Sequence, residues 1–94
     1  VIAVKNNTPH IIDCKVCEKG IFKLSRIEEN QILSMQHWLD TGNSDAWFAL
    51  KVGDDILMIS YRRAMYAKER QSILDTDEIY ERGVLLEDWL NNEY

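Results

Sequence analysis

Apolar residues in this chain recur at two periods, and the change from one to the other divides it into elements. Val1-Ile2-Ala3-Val4-Lys5 reads as a strand, Asn6-Asn7-Thr8-Pro9 supplies turn residues, and His10 to Val16 returns as the partner strand of a hairpin. Glu18-Lys19-Gly20 breaks the pattern, leaving Ile21-Phe22-Lys23-Leu24 as a short extended piece or an anchoring loop. Ser25-Arg26-Ile27-Glu28 matches a capping box, so a helix is predicted from there to about Asp40, with Gly42 placed to end it. Ile27, Gln31, Met35, Trp38 and Leu39 share one broad face of that helix, and Gln31 is its polar member. After the loop Asn43-Ser44-Asp45, the strands Ala46 to Val52 and Asp55 to Tyr61 are joined by a Gly53-Asp54 turn. Arg62 to Gln71 has helical composition, Thr76 is the expected cap of a short helix stopped by Gly83, and Leu85 to Leu90 reads as a last short helix.

The order β-β-α-β-β-α-α predicts an α/β or α+β fold with a mixed four-stranded sheet. A fully antiparallel sheet fits the same order, but the helix between the hairpins suits a crossover that makes strands two and three parallel. With 94 residues, 46% of them hydrophobic, one core and one domain spanning 1–94 are expected. No apolar run reaches the roughly 18 residues of a membrane span and no leader precedes Val1, so a soluble, cytoplasmic protein is the expectation. Cys14 and Cys17 are three apart, which in a strand points them to opposite faces and argues against a shared metal.

Charge changes the picture in one respect. The net charge of -5 disfavours nucleic-acid binding overall, yet residues 75–94 hold seven acids against the single base Arg82. An anionic partner should therefore meet residues 1–74, with the acidic C-terminal portion turned away.

Candidate chemistry lies in His10 to Val16. Asp13 and Lys15 are two apart in a β-branched run, so a strand sets both side chains on one face. A metal-dependent phosphodiesterase needs a carboxylate for a hard divalent cation and a cation or polarised water near the attacking oxygen. Asp13 suits the first need and Lys15 the second. Gln31, a polar head on an apolar helix face, is the candidate third member. Glu28 and Glu29 are weaker, because capping and the helix dipole already explain them. The plainer alternative makes Asp13 and Lys15 a solvated strand edge, Gln31 a boundary residue, and the tryptophans core. Arg62, Arg63, Lys68 and Arg70 are either phosphate clamps or an ordinary solvated helix face.

The segments Val1 to Asn6 and Ile11-Ile12-Asp13-Cys14-Lys15, followed by Phe22 to Gln31, resemble the PD-(D/E)xK nucleases. The resemblance is to Holliday-junction resolvases of the archaeal and RecU types, and it extends more loosely through Ser72-Ile73, Asp77-Glu78-Ile79 and Gly83. It implies an α/β, restriction-endonuclease-like mixed β-sheet flanked by helices. It also implies Mg²⁺-dependent hydrolysis of phosphodiesters, with Mn²⁺ as an alternative ion, by a homodimer that cuts paired strands of branched DNA. By position Asp13 matches the second metal-ligating acid, Lys15 the catalytic lysine and Gln31 the helix glutamine, while the Cys14 backbone carbonyl matches an additional ligand. Lys19, Lys23, Arg26, Arg62 and Arg63 are the candidate nucleic-acid contacts. The family's first catalytic acid would immediately precede Val1, its N-terminal helix would lie further upstream, and the stalk of the RecU enzymes has no counterpart. Two rival readings are a catalytically inactive nuclease-fold binding or assembly module, and an acidic host-interaction protein that mimics nucleic acid.

Overall fold

The first hairpin closes on residues that tolerate an unusual backbone. In the computed structural model, which describes residues 1–43 and 45–91, β1 (Ile2–Lys5) and β2 (Thr8–Val16) join through Asn6 and Asn7. Both asparagines are left-handed, at φ 52° and 62°, the pair of angles that lets a two-residue turn follow the twist of its strands. β1 is the shorter partner. Ile2 pairs with Ile11 and Lys5 with Thr8, while Val1 and Ile12 exchange backbone hydrogen bonds of 2.7 and 3.1 Å. Asp13 to Val16 continue beyond Val1, paired only on the other side.

That other side is a parallel partner. β4 (Ala46–Val52) runs alongside β2 from Ile11↔Ala46 to Val16↔Lys51, and the crossover between them contains α1 (Glu29–Asp40). β5 (Asp55–Ser60) returns antiparallel to β4 through Gly53, at φ 58°. The sheet has one strand more than the sequence predicted, because Val84–Leu85 (β7) pairs with β5 and gives the order β1-β2-β4-β5-β7. Two residues are too few for an alternating pattern to register. A separate two-stranded ribbon pairs β3 (Phe22–Lys23) with β6 (Ile73–Leu74).

Strand alternation divides the core between two faces. Phe48, Leu50, Leu57 and Ile59 pack with Phe22, Leu24, Met35 and Ala64 beneath α1, α2 (Tyr61–Arg70) and α3 (Thr76–Arg82). Trp47, Ala49 and Met58 pack on the opposite face against Trp89 of α4 (Leu86–Asn91). The tryptophans are core residues in large part: Trp47 and Trp89 are buried, and Trp38 packs partly buried on the larger cluster. Among the described residues, no helix is long and apolar enough to cross a membrane.

Two helix starts differ from expectation for one physical reason. Ser25 lies in a 3₁₀ turn, Leu24–Arg26, and α1 begins only at Glu29, with the capping box formed by Glu28 and Gln31. Leu24 and Ile27 are 1% and 2% exposed, and Leu24 N–H donates to Ser72 O at 3.0 Å. Burying these two anchors limits the chain to a single 3₁₀ turn, keeps Ile27 and Glu28 extended and delays the helix. Thr76, expected as a cap, instead donates its hydroxyl to Gly20 O at 2.7 Å, and Asp75 caps α3 through Glu78 N–H at 2.9 Å. In each case tertiary contacts redirect a residue that a local motif would have placed at the cap.

The α4 face also buries two polar side chains. Lys5 Nζ donates to Trp89 O at 3.0 Å and lies 4.4 Å from the centroid of that ring. His10 accepts at Nδ1 from Trp47 Nε1–H at 3.3 Å, and its ring meets Trp89 edge-on at 5.3 Å. Burial holds the His10 pKa below its ordinary value, the Lys5 charge pushes the same way, and Asp45 opposes both.

Candidate active site

β2 carries its acid and base onto the helix-covered face because Ile11, which packs into the larger core cluster, is in phase with them. Lys15 Nζ lies 3.2 Å from Asp13 Oδ2, with the two side chains 13% and 29% exposed. The same ammonium donates to Gln31 Oε1 at 3.2 Å. That oxygen also accepts the Glu28 backbone N–H at 3.0 Å. Asp13, Lys15 and Gln31 thus come together, although sixteen positions separate the lysine from the glutamine. The helix N-terminus is the device that joins them: one side-chain oxygen closes the first turn of α1 and holds the lysine.

Asp13 Oδ2 is buried and accepts no hydrogen bond among the described residues, since the 3.2 Å approach of Lys15 is an ion-pair contact only. A buried carboxylate oxygen without a donor has a lone pair to give. The Ile12 N–H and C=O both face β1, so strand alternation turns the Cys14 carbonyl to the same edge. These two oxygens suit a hard cation that keeps waters or substrate oxygens in its remaining positions. Among the described residues, no group of three or more His, Cys, Asp or Glu side chains forms a complete cage. Cys14 is exposed and Cys17, just past the end of β2, is buried in the larger core cluster, where burial pushes its thiol pKa up.

Beside the triad lies a cleft of about 180 Å³, lined by Asp13 and Gln31 and by Val1, Ile11, Asn30 and Ser34. Asn30 and Ser34 were not legible as site residues. They border the cleft only because α1 packs its Gln31 face beside β2, a contact no local pattern reveals. Glu28 and Glu29 are exposed, and Glu28 serves the helix cap.

The candidate DNA contacts fall into two groups. Lys19, Lys23 and Arg26 line a groove with Val16, and Arg26 Nη1 donates to the Val16 carbonyl one residue from Lys15. Arg62 and Arg63 lie away from them, in a cleft shared with Tyr66 and with Glu81 and Arg82 of α3. The acidic C-terminal portion is therefore not wholly turned away: α3 contributes both an acid and a base to that cleft.

A mixed sheet with one parallel crossover, helices on both faces and an acid and lysine on one face of the second strand fit a PD-(D/E)xK nuclease-like domain with a restriction-endonuclease-like fold. The chain belongs to the archaeal Holliday-junction resolvase family, whose model matches residues 1–93. No curated protein matches it. Family membership supports a resolvase-like nuclease function, and with it a divalent metal and junction DNA as substrate.

Proposed function

We propose that this chain is a Mg²⁺-dependent endodeoxyribonuclease that hydrolyses phosphodiester bonds in branched DNA as a homodimer, each protomer a single nuclease domain. The observation that carries the reading is the convergence of Asp13, Lys15 and Gln31 around one lysine ammonium. Asp13 and the Cys14 carbonyl are the groups that would hold Mg²⁺, or Mn²⁺ in its place. What the ion supplies when bound is Lewis acidity toward a phosphate oxygen. Lys15 sets a positive charge beside the scissile phosphate, where it orients the attacking water and offsets charge as the phosphorane forms. Gln31 holds Lys15 in that position. By the β1–β2 register, the residue preceding Val1 in a longer chain lies across from Asp13 and on its face, where an acid adds a further oxygen ligand. Lys19, Lys23, Arg26, Arg62 and Arg63 contact DNA phosphates. A second protomer supplies the second cut that a symmetric junction requires.

The test is cleavage of labelled four-way junction, duplex and single-stranded DNA by the full-length protein in Mg²⁺ and in EDTA, beside Asp13→Asn. Paired cuts in the junction that need both Mg²⁺ and Asp13 are expected. Equal cutting of all three substrates identifies a general nuclease instead. Absence of any Asp13-dependent cutting removes the enzymatic reading and favours a nuclease-fold binding module.

A further inference from the structure

The sheet face under α4 is the thinner half of the core. Among the described residues it buries four apolar side chains, Trp47, Ala49, Met58 and Trp89, against sixteen on the helix-covered face. α4 has six residues, well short of the about 12 that hold a helix in water by themselves. Its order therefore depends on Trp89 staying seated. The seat is polar. Trp89 is 1% exposed, yet its indole N–H has no hydrogen-bond partner among the described residues, and the buried side chains of Lys5 and His10 lie against its ring. Docking α4 thus leaves one donor unsatisfied and covers one ammonium, which makes this the weaker of the two faces.

His10 adds a chemical condition. Trp47 Nε1–H donates to His10 Nδ1 at 3.3 Å, which fixes the imidazole in the neutral form with Nδ1 bare. A protonated ring carries N–H on both nitrogens, and an indole can only donate, so uptake of a proton sets two donors face to face across that contact. The ring has no room to turn away. It is 2% exposed, Ala3 stands opposite it on β1, and the Trp89 ring closes over it edge-on at 5.3 Å. The charged groups that bear on it come from two other elements. Lys5 on β1 opposes a second positive charge, whereas Asp45, ahead of β4, favours one through its own charge and a backbone hydrogen bond. From β4 and α4 the ring meets the indoles of Trp47 and Trp89, and the α4 acids Glu87 and Asp88 are exposed. β1, β2 and β4 are tied to one another by strand pairing, whereas over His10 α4 is held by the Trp89 ring and by the Lys5 hydrogen bond to the Trp89 carbonyl. Trp89 is the part that yields.

We infer that His10, Trp47 and Trp89 form an acid-released clasp, in which protonation of His10 unseats Trp89 and α4 with it while the sheet and the helices on its other face stay folded. The larger cluster does not include α4, so its packing survives the release. Asp13 and Lys15 lie on that other face of β2, and the clasp is therefore independent of the proposed chemistry. What acid uncovers is an apolar strip of the sheet, Trp47 and Met58, that is closed to solvent above the transition.

The test is amide hydrogen exchange of the full-length protein, corrected for the pH dependence of intrinsic exchange and followed from about pH 7.5 down to about pH 5, above the range where carboxylates titrate. Opening of the α4 amides is expected to rise about tenfold for each pH unit below about 6.5, where the freed imidazole takes up its proton. Tryptophan emission shifts to longer wavelength over the same range, and the β4 amides stay protected. His10→Gln keeps an acceptor for the Trp47 indole and has nothing to titrate there, so its α4 opening should be flat with pH. Should that variant not fold, Trp47→Phe removes the opposing donor instead. Its His10 ring, followed by nuclear magnetic resonance, is expected to titrate at higher pH than in the wild type, with the exposed His37 of α1 unmoved as an internal control. Flat α4 opening in the wild type, the same slope in His10→Gln, an unmoved His10 titration in Trp47→Phe, or joint loss of α4 and β4 protection overturns the clasp.

Discussion

Replacing Gln31 with alanine probes the join between helix capping and the candidate chemistry. The substitution removes one oxygen that accepts two hydrogen bonds, from Glu28 N–H at 3.0 Å and from Lys15 Nζ at 3.2 Å. Losing the capping interaction costs about 1 kcal/mol. A bond from a charged donor is worth about 1.5–3 kcal/mol, and the low end applies because Lys15 keeps its ion pair with Asp13. The sum is about 2–2.5 kcal/mol, a fall in Tm of roughly 10 °C or more for a chain of this size. Freed from Gln31, Lys15 samples other rotamers, and single-turnover cleavage of a four-way junction in Mg²⁺ is expected to slow about 10–100-fold, or roughly 1.4–2.8 kcal/mol. The decisive measurement is a double-mutant cycle. If Gln31 acts through Lys15, the double variant with Lys15→Ala cleaves no more slowly than Lys15→Ala alone, since there is no ammonium left to position. Gln31→Glu keeps the acceptor and should recover most of the lost Tm. Multiplicative losses in the double variant, measured below its melting temperature, refute the positioning role.

Other outcomes follow from the same packing and charge. Asp13→Asn is expected to reduce Mg²⁺-dependent cleavage by about 10³-fold or more while leaving the far-ultraviolet spectrum unchanged, because it weakens a ligand worth several kcal/mol in the transition state. His10 is held neutral in the folded state with its pKa below the ordinary 6.5. As pH falls below that value the unfolded chain takes up a proton that the folded chain resists, so stability present above it declines until the lower folded pKa is reached. Urea unfolding of the wild type against His10→Gln across that window checks the sign, and a wild type that gains stability on acidification relative to the variant would contradict it. A Cβ at Gly83 would meet Ile79 O at 2.8 Å and Leu57 Cβ at 3.1 Å, so Gly83→Ala should cost about 1–3 kcal/mol by urea titration. Leu50, with no exposed surface at the centre of β4, should cost about 2–5 kcal/mol when cut back to alanine.

Much of the architecture is legible in the sequence because it depends on local rules. Period-two apolar runs broken by Asn-Asn and Gly-Asp set the two hairpins, and the amphipathic block between them set the parallel crossover. The spacing of Asp13 and Lys15 placed both on one face, since a strand permits nothing else. Distance in sequence hid the rest. The start of α1 departs from expectation because the burial of Leu24 and Ile27, reached through Ser72 and the β3–β6 ribbon, overrides a well-formed Ser25–Glu28 motif. Asp75 and Thr76 exchange roles because Gly20 lies against Thr76 in space, fifty-six positions away. Lys5 and His10 read as ordinary strand residues until Trp89 closes over them from eighty-four positions beyond Lys5. The candidate site shows the same division. Strand period nominated Asp13 and Lys15, and a polar head on an apolar helix face nominated Gln31, while only the packing of α1 against β2 brought the glutamine oxygen to the lysine and opened the cleft bordered by Asn30 and Ser34. Alternation is a property of one strand, but which helix turn meets it depends on buried area summed over the whole chain.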